Sequence, residues 1–401
     1  MPGQAFLIAR RRALLDGGVG GGGGGGGGNT TLPAPQRTVN VSTYAGLVAA
    51  LEDPLTTAGT HIVLANGTYS GSRIPVPKSG AVGNPIVIRS ANLLGANVPG
   101  TFQIAGQRVI LHGLRFVTTG EASTLQLDGG NNSVWRCEFK SLGGNFIVVG
   151  AGLYNNVRYC EFSSQNASDS MQPSNSCVRL GRHVEVGHCY FHDLPAKPPG
   201  QPYSTRARNI ILAGGTGNSQ ALNSFNWHVH HCLAVNTGNC RFSINSCDNV
   251  LEYVTIIGKT GSTVTYSTDT SIRFGSRNII RGCWYENADS ILVWDRDNKI
   301  ISCKGVSATA GMLSRADNPN QGGLQYAQTR GTLLVANEMP FTLGGNSWAG
   351  SLPVLNTRVE NHQSTLSYGL HTGTVEVGTM TETPVTPIKL TPAMVGPLAD
   401  L

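Results

Sequence analysis

Short runs of alternating apolar and polar residues recur between Leu125 and Leu343 in two forms. The first form ends on a small or polar residue: TLQLDG (124–129), FIVVGA (146–151), CVRLGR (177–182), NIILAG (209–214), SIRFGS (271–276) and SILVWD (290–295). The second follows an Asn, Asp, Arg or His: SVWRCEF ending at Phe139, NVRYCEF at Phe162, HVEVGHCYF at Phe191, HVHHCLAV at Val235, NIIRGCWY at Tyr285 and KIISCKGV at Val306. A period of two predicts strands, not helical turns. Self-similarity on this scale predicts stacked units, none of which can bury its apolar face alone. The pattern therefore predicts an all-β chain, a parallel β-solenoid.

Cysteines fix the register. Cys137, Cys160, Cys189, Cys232, Cys283 and Cys303 hold one position in their runs, with Gly113 before them, at spacings of 24, 23, 29, 43, 51 and 20 residues. A coil of three strands and three turns takes roughly 20–25 residues. The 51-residue step is thus two coils, the middle one carrying Tyr253, and the 43-residue step is a coil with a long protrusion that includes AKPPGQPYS (196–204). About ten coils at ~4.8 Å each give a rod about 50 Å long. An odd count of nine cysteines without C-x-x-C spacing reads as an interior column of small soft side chains, not as disulfides or a metal site. Asn132, Asn156, Asn249, Asn278 and Asn298 precede second-form strands, where Asn tolerates left-handed turns and stacked amides can bond along the rod.

Four segments follow. Residues 1–28 pair a short basic peptide with a glycine run from Gly20 to Gly28, an anchor on a flexible tether or a plain tail. It lacks the order of a secretory signal, since its basic residues follow the apolar segment. Residues 29–60 form a linker and an N-terminal cap, with Ser42 capping a short helix that sets Tyr44, Leu47, Val48 and Leu51 on one face. The β-helix spans 61–365, and 366–401 is a C-terminal extension. Its Thr/Pro-rich end from Thr381 cannot join a central sheet, so it packs along the rod or reaches a neighbour.

Composition agrees. Hydrophobic residues make up 40% of the 401 residues, charged ones only 13%, and glycines number 52, as suits a turn-dense β protein with few solvated helices. No apolar run is long enough to span a membrane as a helix. A formal charge of +6 permits an acidic partner without demanding one, and nothing calls for nucleic acid.

VSTYAGLVAALEDP (41–54), HIVLANGTYSGSRI (61–74), GNPIVIRS (83–90) and RVILHGLRF (108–116) resemble the opening of the alginate-lyase and chondroitinase-B family of polysaccharide lyases. A second resembling stretch runs over 240–303. The resemblance implies a right-handed, single-stranded parallel β-helix behind an N-terminal cap helix, acting on anionic polysaccharide by β-elimination. That chemistry neutralises a uronate carboxylate, removes the neighbouring proton and protonates the departing oxygen. The family uses a Lys base and an Arg that opens an Arg-His-Gly motif. FSINSCDNV (242–250) resembles the Lys-bearing stretch with Asn245 at the Lys position. SIRFGSRNII (271–280) resembles the Arg-bearing stretch, with Arg273 at the Arg and Phe274 at the His. Arg273 is thus the catalytic candidate, while Asn245 cannot act as a base near neutral pH. Calcium enters by the resemblance only; its acidic ligands have no match, and the residues themselves call for no cofactor.

Arg179 and Arg273 both stand third in their first-form strands, which predicts that both point outward from one face, with Arg241, Arg296 and Arg315 in nearby coils. Aligned guanidinium groups would suit repeating carboxylates, although arginine is also ordinary on any polar face. Tyr266 and Trp294 can stack on sugar rings. His228 and His230 share a face and could bind a metal, or simply belong to a polar exterior, and Asp295 with Asp297 is the nearest acid pair. Three functions stay open. One is a virion surface protein of a tailed phage (tail spike, fibre or head decoration), held to other virion proteins by residues 1–28, oligomeric with a trimer favoured, and touching acidic polysaccharide with little or no catalysis. Another is an active, secreted or periplasmic bacterial lyase. The third is a structural spacer.

Overall fold

The computed structural model describes residues 31–118, 124–141, 148–164, 176–194, 209–213, 226–237, 241–244, 246–258, 269–272, 276–288, 291–293, 296–308, 311–314, 331–345, 354–368 and 371–398. It is a right-handed parallel β-helix with three parallel sheets of 14, 10 and 12 strands, here sheets I, II and III. Each coil runs from sheet III through sheet I to sheet II. The ten strands of sheet II mark ten three-sided coils, and the other two sheets run further. First-form runs lie in sheet III. Each second-form run is two strands, one in sheet I and one in sheet II, broken at a left-handed corner residue such as Arg136, Tyr159, His188 or His231.

Every in-register step is one coil, so like stacks on like. Val134, Val157, Val186, Val229, Leu251 and Ile280 line the inside of sheet I and are fully or almost fully buried. Phe116, Phe139, Phe162 and Phe191 stack face to face inside sheet II with centroids 4.8–4.9 Å apart. Each such buried side chain contributes about 1.5–3 kcal/mol, and offset ring pairs add to that. The column Cys137, Cys160, Cys189, Cys232, Cys283 and Cys303 is wholly buried and free, as its spacing predicts, with Val254 filling the coil at Tyr253. Burial pushes these thiols well above their ordinary range where a shift is resolved, as at Cys160, Cys189 and Cys232, so they are inert packing groups.

Three local expectations change. The cap helix Tyr44–Glu52 is capped by the Thr43 side chain, which accepts from the Gly46 amide, and not by Ser42. A strand already precedes it: Arg37–Val41 pairs in parallel with Thr60–Leu64, so the helix bridges the first two rungs of sheet I. It buries Leu47, Ala50 and Leu51, leaving Tyr44 and Val48 half-buried. The asparagine ladder runs through Asn155, not Asn156, which is the first residue of its strand. The ladder residues themselves are not left-handed; that conformation belongs to the residue before each, Asn131, Tyr154, Asp248, Arg277 and Asp297. Amide stacking thus explains the asparagines, and left-handed tolerance does not.

From Thr381 the chain turns back and runs along the corner between sheets I and II. Thr381 binds the buried Glu360 carboxylate, and the Val385 amide donates to Ser302 Oγ. The Leu390 amide donates to Thr255 Oγ1, which donates in turn to the Ile388 carbonyl. Gly396 N–H donates to the His188 carbonyl, and Arg136 Nε donates to that of Pro397. Pro384, Pro387, Pro392 and Pro397 remove the amides a sheet strand would need, so isolated hydrogen bonds replace a ladder. This strap crosses eight coil steps, about 38 Å.

Candidate functional site

Sheet III carries the stretches that resemble the lyase site. Strand Arg241–Ile244 pairs with Asp269–Ile272 in register, Ile244 opposite Ile272. These are the residues immediately before Asn245 and Arg273. Asn245, Tyr266, Arg273, Trp294, Asp295 and Arg315 lie outside the described residues, and of Arg241 only the backbone is described. Arg179 is half-buried in the same sheet, its carbonyl accepting from Gly150, and burial lowers its guanidinium from the usual value. Val178 pairs with Ile211, Ile211 with Phe242 and Phe242 with Thr270, which puts Arg179 in register with Ser271. A bulge between Asn209 and Ile211 shifts the count, and no pattern of alternation reveals a bulge. Arg296 is exposed in the turn before Asn298, beside the left-handed Asp297. Calcium enters by the family resemblance alone: strand 241–244 offers no carboxylate, Asp269 opposite Arg241 is described in its backbone only, and nearby Asp248 is held by both Nε and Nη2 of Arg277 at 2.8 and 2.7 Å.

The densest described chemistry sits on the outer face of sheet I. Register stacks Asn156, Glu185, His228 and Val250 in one outward column and Arg158, Gly187, His230, Glu252 and Arg281 in the next. Glu185, 5% exposed, takes Arg158 and His230 Nε2, the latter at 3.0 Å. Glu252, 8% exposed, takes His228 Nε2 at 2.7 Å and Arg281 Nε at 2.6 Å. Burial works against ionisation of both, but the imidazole and guanidinium partners win. Glu252 falls to about 2 and Glu185 lies lower still. An ionised carboxylate only accepts, so both imidazoles carry their proton on Nε2. His228 and His230 therefore share a face, with ring centroids 4.5 Å apart, but each spends its Nε2 on a different glutamate. Neither Nε2 is therefore available as a ligand atom.

Beside this network the corner residues form an aromatic column. His188 stacks between Tyr159 and His231, at 4.6 and 4.9 Å, and His231 meets Tyr253 at 5.0 Å. His230 Nδ1 lies 3.1 Å from His231 Nδ1. Burial, followed by the neighbouring histidines, holds His188 at about 3 and His231 at about 4, so both rings are neutral near pH 7. Sequence reasoning singled out the HVHH run but missed His188, Glu185, Glu252, Arg158 and Arg281. Their signal was available: outward positions of successive second-form runs alternate acid, base and imidazole. Another histidine, His192, links Glu161 and Asp193 at 2.9 and 2.8 Å on sheet II.

The chondroitinase B family model matches residues 44–201. No curated protein matches the sequence. Among solved structures, the PL6-family polysaccharide lyase Pedsa3628 from Pseudopedobacter saltans is 15% identical, covering 90% of this chain and 100% of its own with a TM-score of 0.63. A PL6 alginate lyase in complex with a trisaccharide is 13% identical, covering 85% of each chain at a TM-score of 0.61. A mannuronic-acid-specific family 6 lyase from human gut microbiota is 15% identical, covering 83% of this chain and 82% of its own at 0.59. The chain thus has the right-handed parallel β-helix of the polysaccharide lyases and resembles the chondroitinase B family through its first half.

Proposed function

We propose that this protein is a glycan-contacting rod of the polysaccharide-lyase type, in which recognition of an acidic polysaccharide outlives β-elimination. The observation that carries the reading is Asn245 at the family's Lys position, with an arginine, Arg273, at the family's Arg position. An amide cannot take the proton next to a uronate carboxylate, whereas a guanidinium still pairs with that carboxylate. The register supports it, since Ile244 and Ile272, the residues before these two, face each other on adjacent strands. The setting we infer is the surface of a tailed-phage particle, as spike, fibre or head decoration, in a trimer held to other virion proteins by residues 1–28. The basic peptide and glycine run support that part of the reading.

An active lyase is the second reading, favoured by the fold match to PL6 lyases over most of the chain. Incubation with alginate, chondroitin and host surface polysaccharide, read in the ultraviolet for the unsaturated product, separates the two. Binding without product, weakened by Arg273→Ala and by salt, is the expected result. Strong product formation abolished by Arg273→Ala restores the lyase, and neither binding nor product leaves a spacer. Asn245→Lys is the sharper probe, because gained turnover shows that only the base was lost. Deleting residues 1–28 should release a folded rod from its particle, and a truncated rod that attaches as well as the intact chain overturns the anchor.

A further inference from the structure

His188, His230 and His231 bring one nitrogen each to within 4.8 Å of one another, at the corner where sheet I passes into sheet II. They come from two adjacent coils: the Gly187 strand pairs directly with the His230 strand. His230 Nε2 is committed to Glu185, which orients the ring and leaves Nδ1 as a lone pair aimed at His231 Nδ1, 3.1 Å away. Two nitrogens on one tetrahedral zinc at its usual bond length lie about 3.4 Å apart. A carboxylate behind a histidine is the recurrent second partner of a metal-bound imidazole. We propose that these three histidines form a site for a borderline divalent transition ion of the zinc class, with Glu185 as a positioning residue.

The ligand set fits that class. Three imidazoles without a carboxylate exclude calcium and magnesium, which take oxygen. All three side chains are only partly buried, so an ion reaches them from solvent. One rearrangement is required. His188 is stacked on His231 at an interplanar angle of 11°, and parallel rings cannot aim their lone pairs at one point. The His188 ring must turn out of the stack, its nitrogen closing by roughly 1.5 Å to reach zinc-site spacing. Its backbone stays where it is, pinned by Gly396 N–H of the strap at 2.9 Å. Metal binding should therefore tie two coils and the strap together without moving the rod.

The test titrates the full chain with Zn²⁺ by calorimetry and with Co²⁺ by visible absorption, which reports tetrahedral nitrogen coordination. One ion per chain is expected. His231→Gln and His188→Gln should each weaken binding at least tenfold. Glu185→Gln, which keeps the hydrogen bond but not the charge, should weaken it by about 10–100-fold. His228→Gln is the control, because its partner is Glu252, and its affinity should not change. Far-ultraviolet dichroism and melting of each metal-free variant establish that it folds. A flat titration overturns the proposal. So does binding that survives the His188→Gln/His231→Gln double variant, which would place the ion elsewhere on the surface, for instance at His192, Glu161 and Asp193. In either case the trio is a hydrogen-bonded cluster, with His231 Nδ1–H donating to His230.

Discussion

The ring of His230 lies directly over Gly187, its partner one coil earlier. A Cβ on Gly187 would sit 2.5 Å from His230 Cε1 and 2.6 Å from Nε2. The missing side chain is what lets the imidazole reach Glu185 across the strand.

Gly187→Ala should therefore act through sterics alone, since Gly187 does not adopt the left-handed conformation that penalises alanine. Its methyl group must displace His230 and leave the buried Glu185 carboxylate short of one donor, a loss of about 1–3 kcal/mol. Thermal melting should show it. Gly378→Ala, where a Cβ meets nothing within 4 Å, is the comparison and should be near neutral.

The asparagine ladder predicts a gain as well as a loss. Asn278 Oδ1 accepts from both the amide and the side chain of Asn249, and Asn278 passes the same pair on to Asn298. Asn278→Ala should cost about 2–4 kcal/mol by stranding buried donors, far more than Asn156→Ala on the strand surface. At the next coil Thr332 is too short to continue. Asn298 Nδ2 and Thr332 Oγ1 are both buried without partners. Thr332→Asn should extend the ladder and raise stability by about 1 kcal/mol in a denaturant titration.

These columns show what a sequence can reveal of such a fold. Identical residues at identical coil positions announce themselves, and so the cysteine column, the sheet register and the single coil inside the 43-residue step are all legible. What escapes is whatever the repeat does not enforce. The bulge at Asn209–Ile211 inserts one residue between two neighbouring strands, and nothing in the run NIILAG marks where the register shifts. The ladder member Asn155 was mistaken for Asn156 because two asparagines are adjacent and only burial separates them. The Glu185–His230 and Glu252–His228 pairs lie 45 and 24 residues apart and become neighbours only once the coils are stacked.

The strap should act as a longitudinal clamp. Leu390 and Val395 are each 2% exposed, packed on Leu233 with Tyr190, Val235 and Ile257 around them. Leu390→Ala should cost about 2 kcal/mol, the low end for a buried leucine because the cluster is small. Ending the chain at Met380 should cost more while leaving the β-rich dichroism spectrum in place. If the shortened chain melts at the same temperature as the intact one, the strap contributes nothing to the rod.

Acid should weaken the rod in two separable steps. His112 is held at about 4 by burial, with Arg136 and Arg89 adding repulsion. A histidine whose folded value is depressed from 6.5 binds its proton more readily when unfolded. Its stabilising effect is complete above pH 6.5 and disappears as pH falls toward 4. Glu252 behaves as a depressed carboxylate: burial opposes its ionisation, but hydrogen bonds from His228 and charge from Arg281 outweigh that and hold it at about 2. Its contribution is complete above about pH 4.5 and disappears between there and 2, for a total on the order of 3 kcal/mol. Melting temperature followed from pH 8 to pH 3 should therefore decline first between 6.5 and 4.5 and then more steeply below. His112→Gln, which cannot charge, should flatten the first decline and leave the second. Glu252→Gln should lower stability at neutral pH and remove much of the second. If His112→Gln leaves the upper limb unchanged, that limb belongs to other depressed histidines, among them His188 and His231, and not to His112.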